Sequence, residues 1–129
     1  NSFDLINNEK LVDNFILYNI NSFNFINNTL NILDNDLNYI SLNIKNSKYF
    51  WKINLSEYLK NNDKIINSYI NDNTLYTFFS NGLFINQNIL NGEITFFQNL
   101  KLSKIYNVSS FNNVIMITLT NGKTVFFKQ

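Results

Sequence analysis

The sequence predicts an all-β fold of antiparallel four-stranded units repeated every 40–45 residues, and three observations predict it. The first is the repeat itself. Shifted by 45 residues, Asn28-Thr29-Leu30 lands on Asn73-Thr74-Leu75, Ile40 on Ile85, Asn43-Ile44 on Asn88-Ile89, Asn46 on Asn91 and Asn54-Leu55 on Asn99-Leu100, without a gap. Changed positions keep their character: Leu33 meets Phe78, Tyr39 meets Phe84 and Trp51 meets Phe96. A shorter third copy follows at an offset of 40, with Asn113 on Asn73 and Asn121-Gly122 on Asn81-Gly82. The second observation is a set of short β-branched or aromatic runs bounded by Asn, Asp or Ser, such as Leu75-Tyr76-Thr77-Phe78-Phe79 and Val114-Ile115-Met116-Ile117-Thr118-Leu119. The third is that all three glycines follow an asparagine, in Asn81-Gly82, Asn91-Gly92 and Asn121-Gly122. Asn-Gly between apolar runs signals a hairpin, and the turn expected is type I′, with positive φ at both residues. A fixed period of this size with four strands per unit is the spacing of β-propeller blades.

Taken in chain order, residues 1–19 read as the outer strands of a partial unit, with Phe15-Ile16-Leu17-Tyr18 as a strand. Residues 20–63 form a whole unit with strands at 22–26, 30–33, 38–43 and 48–54, where Asp34-Asn35-Asp36-Leu37 replaces the Asn-Gly turn. Ser56-Glu57-Tyr58-Leu59-Lys60 follows as one helical turn, with Ser56 as its N-cap. Residues 64–101 form the clearest unit, with strands at 64–70, 74–80, 83–88 and 93–99. Residues 102–129 supply three strands of another partial unit, at 104–109, 114–120 and 124–128. Three units cannot close a ring, for which about four blades is the minimum. The expectation is either a piece of a longer propeller or copies that complete one another's ring. The alternative architecture is two sheets stacked as a β-sandwich.

Composition narrows the function classes. The chain has 129 residues, 45% of them hydrophobic, which is one domain's worth with apolar mass for a core. It has no Ala, Arg, Pro, Cys or His, and Asn, Ile, Leu, Phe, Lys and Tyr abound. AT-rich codons favour this alphabet, so a single Asn is expected to carry less information than usual. Asn never runs beyond pairs and is interleaved with apolar residues, which argues for a folded chain rather than a disordered one. Ten Lys against nine acidic residues leave a net charge of +1. With no basic block and no Arg for bidentate contact, nucleic-acid binding is argued against. The absence of Cys and His excludes disulfides, zinc-thiolate sites and nucleophilic arrangements based on either residue. No apolar run approaches the length of a membrane span. A start at Asn1 rather than Met reads as a processed or trimmed N terminus.

Few residues invite chemistry. Asp34 and Asp36, with Asn35 and Asn38, are the densest oxygen cluster, but the Gly and distal Glu of an EF-hand loop are absent. Their alignment with Ser80-Asn81-Gly82 reads as a turn. Glycosylation triplets at Asn27, Asn54 and Asn107 are expected by chance in so Asn-rich a chain. No carboxylate pair stands out for glycoside chemistry. The residues singled out are structural: Trp51, the only Trp, and Phe96 at matching repeat positions where one unit docks on the next, and Asn81, Gly82, Asn91, Gly92, Asn121 and Gly122 at turns. The C-terminal strand, Thr124-Val125-Phe126-Phe127-Lys128, presents an edge open to strand addition by a partner or another copy.

Residues 74–86, followed by Leu90-Asn91-Gly92-Glu93-Ile94, resemble a blade of the quinoprotein-type (PQQ-like) β-propeller repeat family. The Trp step of such blades appears in Asn46-Ser47-Lys48-Tyr49-Phe50-Trp51, leading to Lys52-Ile53-Asn54-Leu55. The later unit departs with Phe96 at the Trp position, and the earlier one has Ser47 in place of the turn glycine. The resemblance covers about residues 20–128 and is best to non-enzymatic members of the family that serve as outer-membrane assembly lipoproteins. It implies a periplasmic scaffold that helps deliver barrel proteins in an AT-rich Gram-negative bacterium. Catalytic members hold a quinone with calcium, acidic residues and stacking aromatics, and no matching constellation can be placed here.

The functional expectation is therefore a non-enzymatic propeller scaffold for protein–protein interaction, with no cofactor and no metal. Its partners would be another protein or further copies of itself, without nucleic acid or a transmembrane span. The alternative is a carbohydrate- or ligand-binding β-sandwich. A third reading is an enzyme whose active site lies on other blades.

Overall fold

The computed structural model describes residues 20–128 apart from Ser47 and Ser103, so the expected partial unit at 1–19 and the Ser47 turn lie outside the described residues. The described residues form eleven strands and no helix. The first sheet is β1 (Ile20–Ile26), β2 (Thr29–Asp34), β3 (Asn38–Asn43) and β4 (Lys48–Asn54). The second is β5 (Ile65–Asn71), β6 (Thr74–Phe79), β7 (Leu83–Asn88) and β8 (Ile94–Asn99). The third is β9 (Ile105–Phe111), β10 (Val114–Leu119) and β11 (Thr124–Lys128). Each sheet is an antiparallel meander whose spatial order follows chain order, as short turns between consecutive strands dictate.

The turns differ from expectation. Gly82 N–H donates to the Phe79 carbonyl (3.0 Å) and Gly122 N–H to Leu119 (3.0 Å). Both glycines have positive φ (89° and 85°), but Asn81 and Asn121 do not. These are therefore type I turns followed by a left-handed residue, and not type I′. Leu37 holds the equivalent place in the first sheet, with φ 65° and its N–H on the Asp34 carbonyl (3.1 Å). The φ signs of type I′ occur instead at Asn112-Asn113 (47° and 63°), between β9 and β10.

The asparagines carry more than base-composition bias. Asn81 Oδ1 accepts the Leu83 N–H (2.9 Å) and Asn121 Oδ1 the Lys123 N–H (3.0 Å). The same side-chain turn recurs at both members of three repeated pairs: Asn43 and Asn88, Asn46 and Asn91, Asn54 and Asn99. Each accepts the N–H two residues on, satisfying a backbone donor where the ladder ends.

The repeat also fixes irregularities. β1, β5 and β9 each carry a bulge at the same step, with Asn21, Ile66 and Tyr106 as the extra residues. β4 and β8 carry a second, at Phe50 and Thr95. Each bulge bends its strand and re-aims the side chains beyond it. The stretch after β4 is a single turn and no helix, with Tyr58 and Leu59 N–H both donating to the Leu55 carbonyl (2.9 Å each). Ser56 is not its N-cap: its hydroxyl donates to Asn54 Oδ1.

β1 lies beside β5 and β5 beside β9, so the sheets meet at their first strands and stack face to face, the propeller arrangement. Three stacked sheets replace the two of a sandwich. Between the first and second sheets, Leu33, Tyr39 and Trp51 meet Leu75, Phe79, Leu83 and Ile85. Between the second and third, Phe78 and Phe84 meet Ile105, Val108, Ile115, Ile117 and Leu119. A third buried cluster of Leu30, Ile32, Ile40 and Leu42 occupies the far face of the first sheet. Full burial of each such side chain contributes roughly 1.5–3 kcal/mol, so stacking stabilises the array more than any single sheet can.

Candidate functional site

The outer rim of the first interface is built around Trp51. Its bulged strand β4 turns the indole toward the second sheet, where Nε1 donates to the Ile89 carbonyl (2.9 Å). The ring lies edge-on to Tyr39 (centroids 5.2 Å, 71°) and is 6% exposed. Gly92, in the loop before β8, lies directly against it, and a Cβ there would sit 2.6 Å from Cγ and Cδ2. The positive φ of Gly92 (75°) and the bond from its N–H to the Asn88 carbonyl (2.8 Å) hold the loop in that position. Asn91 caps the same loop through the Glu93 N–H (2.9 Å).

Deeper in this interface, the Tyr39 hydroxyl shares a 2.8 Å hydrogen bond with Thr77 Oγ1, to which Ser68 also donates (3.1 Å). Burial raises the Tyr39 pKa to about 12, against the lowering effect of its bonds to Thr77 and Ser68. Ser22 Oγ accepts the Ile65 N–H (2.9 Å) near the inner strands, and Asn81 Nδ2 reaches the Tyr58 carbonyl (3.2 Å).

The second interface uses equivalent positions but ends differently. Asn67, the counterpart of Ser22, donates to the Val108 carbonyl (2.8 Å). Phe96, the counterpart of Trp51, lies edge-on to Phe84 (6.2 Å, 63°), as Trp51 does to Tyr39, yet is 46% exposed. No strand among the described residues follows β11, so no described loop lies where Gly92 lies for Trp51. A groove of about 290 Å³ opens there, lined by Tyr76, Phe78, Phe84, Asn86, Leu100 and Phe127 among others. Tyr69, Tyr76 and Phe84 form a ladder across three strands beside it. Burial, with Tyr76 nearby, raises the Tyr69 hydroxyl pKa well above the ordinary phenol range.

The outer face of the third sheet carries an exposed apolar patch among polar residues such as Ser109, Thr118 and Thr124. Phe111 (76% exposed) and Phe126 stand on it with Val114 and Met116, and Tyr106 is exposed at the β9 bulge. Sequence reasoning singled out strand β11 but missed Phe111 and Tyr106. Their signal was the alternation within β9, which marks two faces without saying which is covered. Gly122 has no heavy atom within 4 Å of its virtual Cβ, so a side chain there would meet open space.

Among the described residues no group of three or more His, Cys, Asp or Glu is placed to hold a metal. Asp34, the strongest oxygen donor in sequence, spends its carboxylate on the turn: Oδ1 accepts the Asp36 and Asn38 N–H (2.9 and 2.8 Å) and Oδ2 the Asn38 amide (2.9 Å). No described helix is long and apolar enough to cross a membrane.

Neither a family model nor a curated protein sequence matches the chain. Solved structures do. BamB from Moraxella catarrhalis superposes with a TM-score of 0.62 at 15% identity, over 83% of this chain and 30% of that one. The computationally designed Ika8 protein gives 0.63 at 13% identity, over 85% of this chain and 33% of its own, and the designed Ika4 protein gives 0.61 at 13%, over 84% and 65%. The chain thus spans about a third of BamB and Ika8 and about two thirds of Ika4. At these identities the likeness shows a β-propeller-like fold.

Proposed function

We propose that this chain is a non-enzymatic section of β-propeller that acts as a scaffold for protein–protein contact, presented by the outer face of the third sheet. One observation carries the reading: Phe111, Met116 and Phe126 form an exposed apolar patch on the end of the stack, on the face that corresponds to the docking faces of the first two sheets, with Thr118 and Thr124 standing where Leu33 and Tyr39, and Phe78 and Phe84, pack. Exposed apolar patches of this kind mark interaction surfaces. The partner is another protein or a further copy of this chain continuing the stack. The likeness to BamB supports a periplasmic, outer-membrane-associated setting and a part in outer-membrane protein assembly as the finer form of this proposal. Within the same proposal, Trp51 on Gly92 is the residue that docks one unit on the next.

Photo-cross-linking tests it. A benzophenone side chain at position 111 or 126, in cells expressing the chain, is expected to trap a discrete protein adduct, and one at exposed Glu57 is expected to trap none. Equal adducts at all three positions, or none at any, would refute the scaffold reading. The aromatic groove beside Phe84 favours the second reading, a ligand-binding module. Saturable oligosaccharide binding lost on Phe84→Ala, without protein adducts, would replace the first reading with it.

A further inference from the structure

Near Trp51 the first interface contains a set of buried polar side chains that the repeat does not require. Asn31 and Ser41 face each other across β2 and β3, and Ser41 stands opposite Trp51 across β3 and β4, so all three share the face turned toward the second sheet. Gln87 shares the opposing face with Leu83 and Ile85, two residues apart along β7. Its Nε2 donates to the Gly92 carbonyl (3.1 Å), the residue lying against the Trp51 ring. Asn31, Ser41 and Gln87 are each 0% exposed.

Four side-chain atoms of these residues have no protein partner: Asn31 Nδ2 and Oδ1, Ser41 Oγ and Gln87 Oε1. Leaving such atoms unbonded in an apolar interior costs about 1–3 kcal/mol each, and buried polar side chains in folded proteins are bonded as a rule. The set is chemically balanced. Asn31 Nδ2 and Ser41 Oγ donate, while Asn31 Oδ1 and Gln87 Oε1 accept. A water molecule offers the complement, two donors and two acceptors. An ion fits less well, because the set mixes donors with acceptors and brings no charge to offset an ion's own. The one charged side chain among the buried described residues, Asp63, lies before β5 and accepts the Lys60 N–H (2.7 Å).

We propose that Asn31, Ser41 and Gln87 form a built site for ordered water that bridges the first and second sheets. In this respect the interface has two halves. Around Tyr39, Thr77 and Ser68 polar atoms bond one another directly; around Asn31, Ser41 and Gln87 they bond through water. The second interface differs in shape: Tyr76 and Asn86 occupy the positions equivalent to Asn31 and Ser41 and line the open groove, and Asn86 Oδ1 is itself buried without a protein partner.

A crystal structure of the 129-residue chain at atomic resolution tests the proposal. The expected result is at least one ordered water bonded to Asn31 or Ser41 on one side and to Gln87 Oε1 on the other. Direct bonds among the three side chains, with no water between, would overturn it. In solution, water-oxygen relaxation dispersion detects long-lived internal water. Asn31→Leu combined with Gln87→Leu is expected to remove such a signal, and an unchanged signal in the folded double variant would overturn the site. Should the double variant fail to fold, Ser41→Ala gives the same reading by deleting one donor: a shortened water residence time supports the site, and an unchanged one overturns it.

Discussion

The two interfaces of this molecule start from the same sequence unit and end in different states at the rim. In the first, Tyr39 and Trp51 lie edge-on and the indole is sealed by the loop carrying Ile89 and Gly92. In the second, Phe84 and Phe96 repeat the edge-on pair, but no described loop seals it and a groove remains. Along the inner strands the interfaces match more closely, each with a side-chain bond between sheets, at Ser22 in one and Asn67 in the other. The comparison separates two contributions. Apolar faces of the first three strands suffice to stack sheets, and closure of the rim depends on the fourth strand of one sheet meeting the loop before the fourth strand of the next.

The sharpest way to break that comparison is to truncate its two aromatics. Trp51→Ala is expected to cost about 4 kcal/mol of stability in urea unfolding, the range for large aromatics lost from a core. Phe96→Ala is expected to cost less than about 1 kcal/mol, because its ring is largely in water. Equal losses would mean that rim closure contributes nothing.

Gly92→Ala probes the same seal from the other side. The added methyl meets the indole at 2.6 Å in a backbone held at φ 75°, and overpacking with left-handed strain predicts a loss of about 3 kcal/mol. The single-Trp emission should shift red as the ring is displaced. A stable variant with unchanged emission would place the loop elsewhere.

Gly82→Ala and Leu37→Gly test the two forms of the repeated turn. Gly82 has room, its virtual Cβ lying 3.4 Å from Asn99 Oδ1, so the cost is that of a left-handed alanine, about 1 kcal/mol. Leu37 already bears that strain but is buried in the first core cluster. Leu37→Gly therefore relieves strain and loses packing, and a net loss of about 1–2 kcal/mol is expected.

The smallest effect is at alkaline pH. Tyr39 is held protonated to about 12 in the folded chain against an ordinary value of 10.0. Its contribution is complete below pH 10 and is lost as pH rises toward 12. Tyr69 is raised in the same direction and adds to the loss. Tyr39→Phe should cost about 1 kcal/mol near neutrality through the bond to Thr77, and should flatten part of the alkaline decline in a melting series. A decline as steep as that of the unaltered chain would show that the Tyr39 hydroxyl is not buried.

Strand positions and sheet order were legible because the repeat and the alternation of apolar residues speak for them directly: β3, β4, β7 and β11 span the expected residues. Turn type was not. Asn-Gly is compatible with two turn classes, and loop length narrows the choice. The apolar run ends at Phe79, leaving Ser80-Asn81-Gly82 as a three-residue connection; of the two-residue loops Asn112-Asn113 takes type I′ signs, while Asn27-Asn28 and Asp72-Asn73 have positive φ at the first residue alone. Bulges were invisible because an extra residue shows itself only against its partner strand. The alignment of Trp51 with Phe96 was visible, but what each touches was not, since Gly92 is brought to Trp51 by stacking between sheets. The exposure of Phe111 was hidden for the same reason: alternation tells two faces apart and leaves open which of them a neighbour covers.

Amide hydrogen exchange over the whole chain tests the stacked arrangement most directly. The account predicts slowest exchange in β6 and β7, at the centre of the one described sheet covered by described sheets on both faces, and fast exchange along the open edge of β11. Protection shared equally by two sheets, with the third exchanging freely throughout, would contradict it and return the molecule to a sandwich.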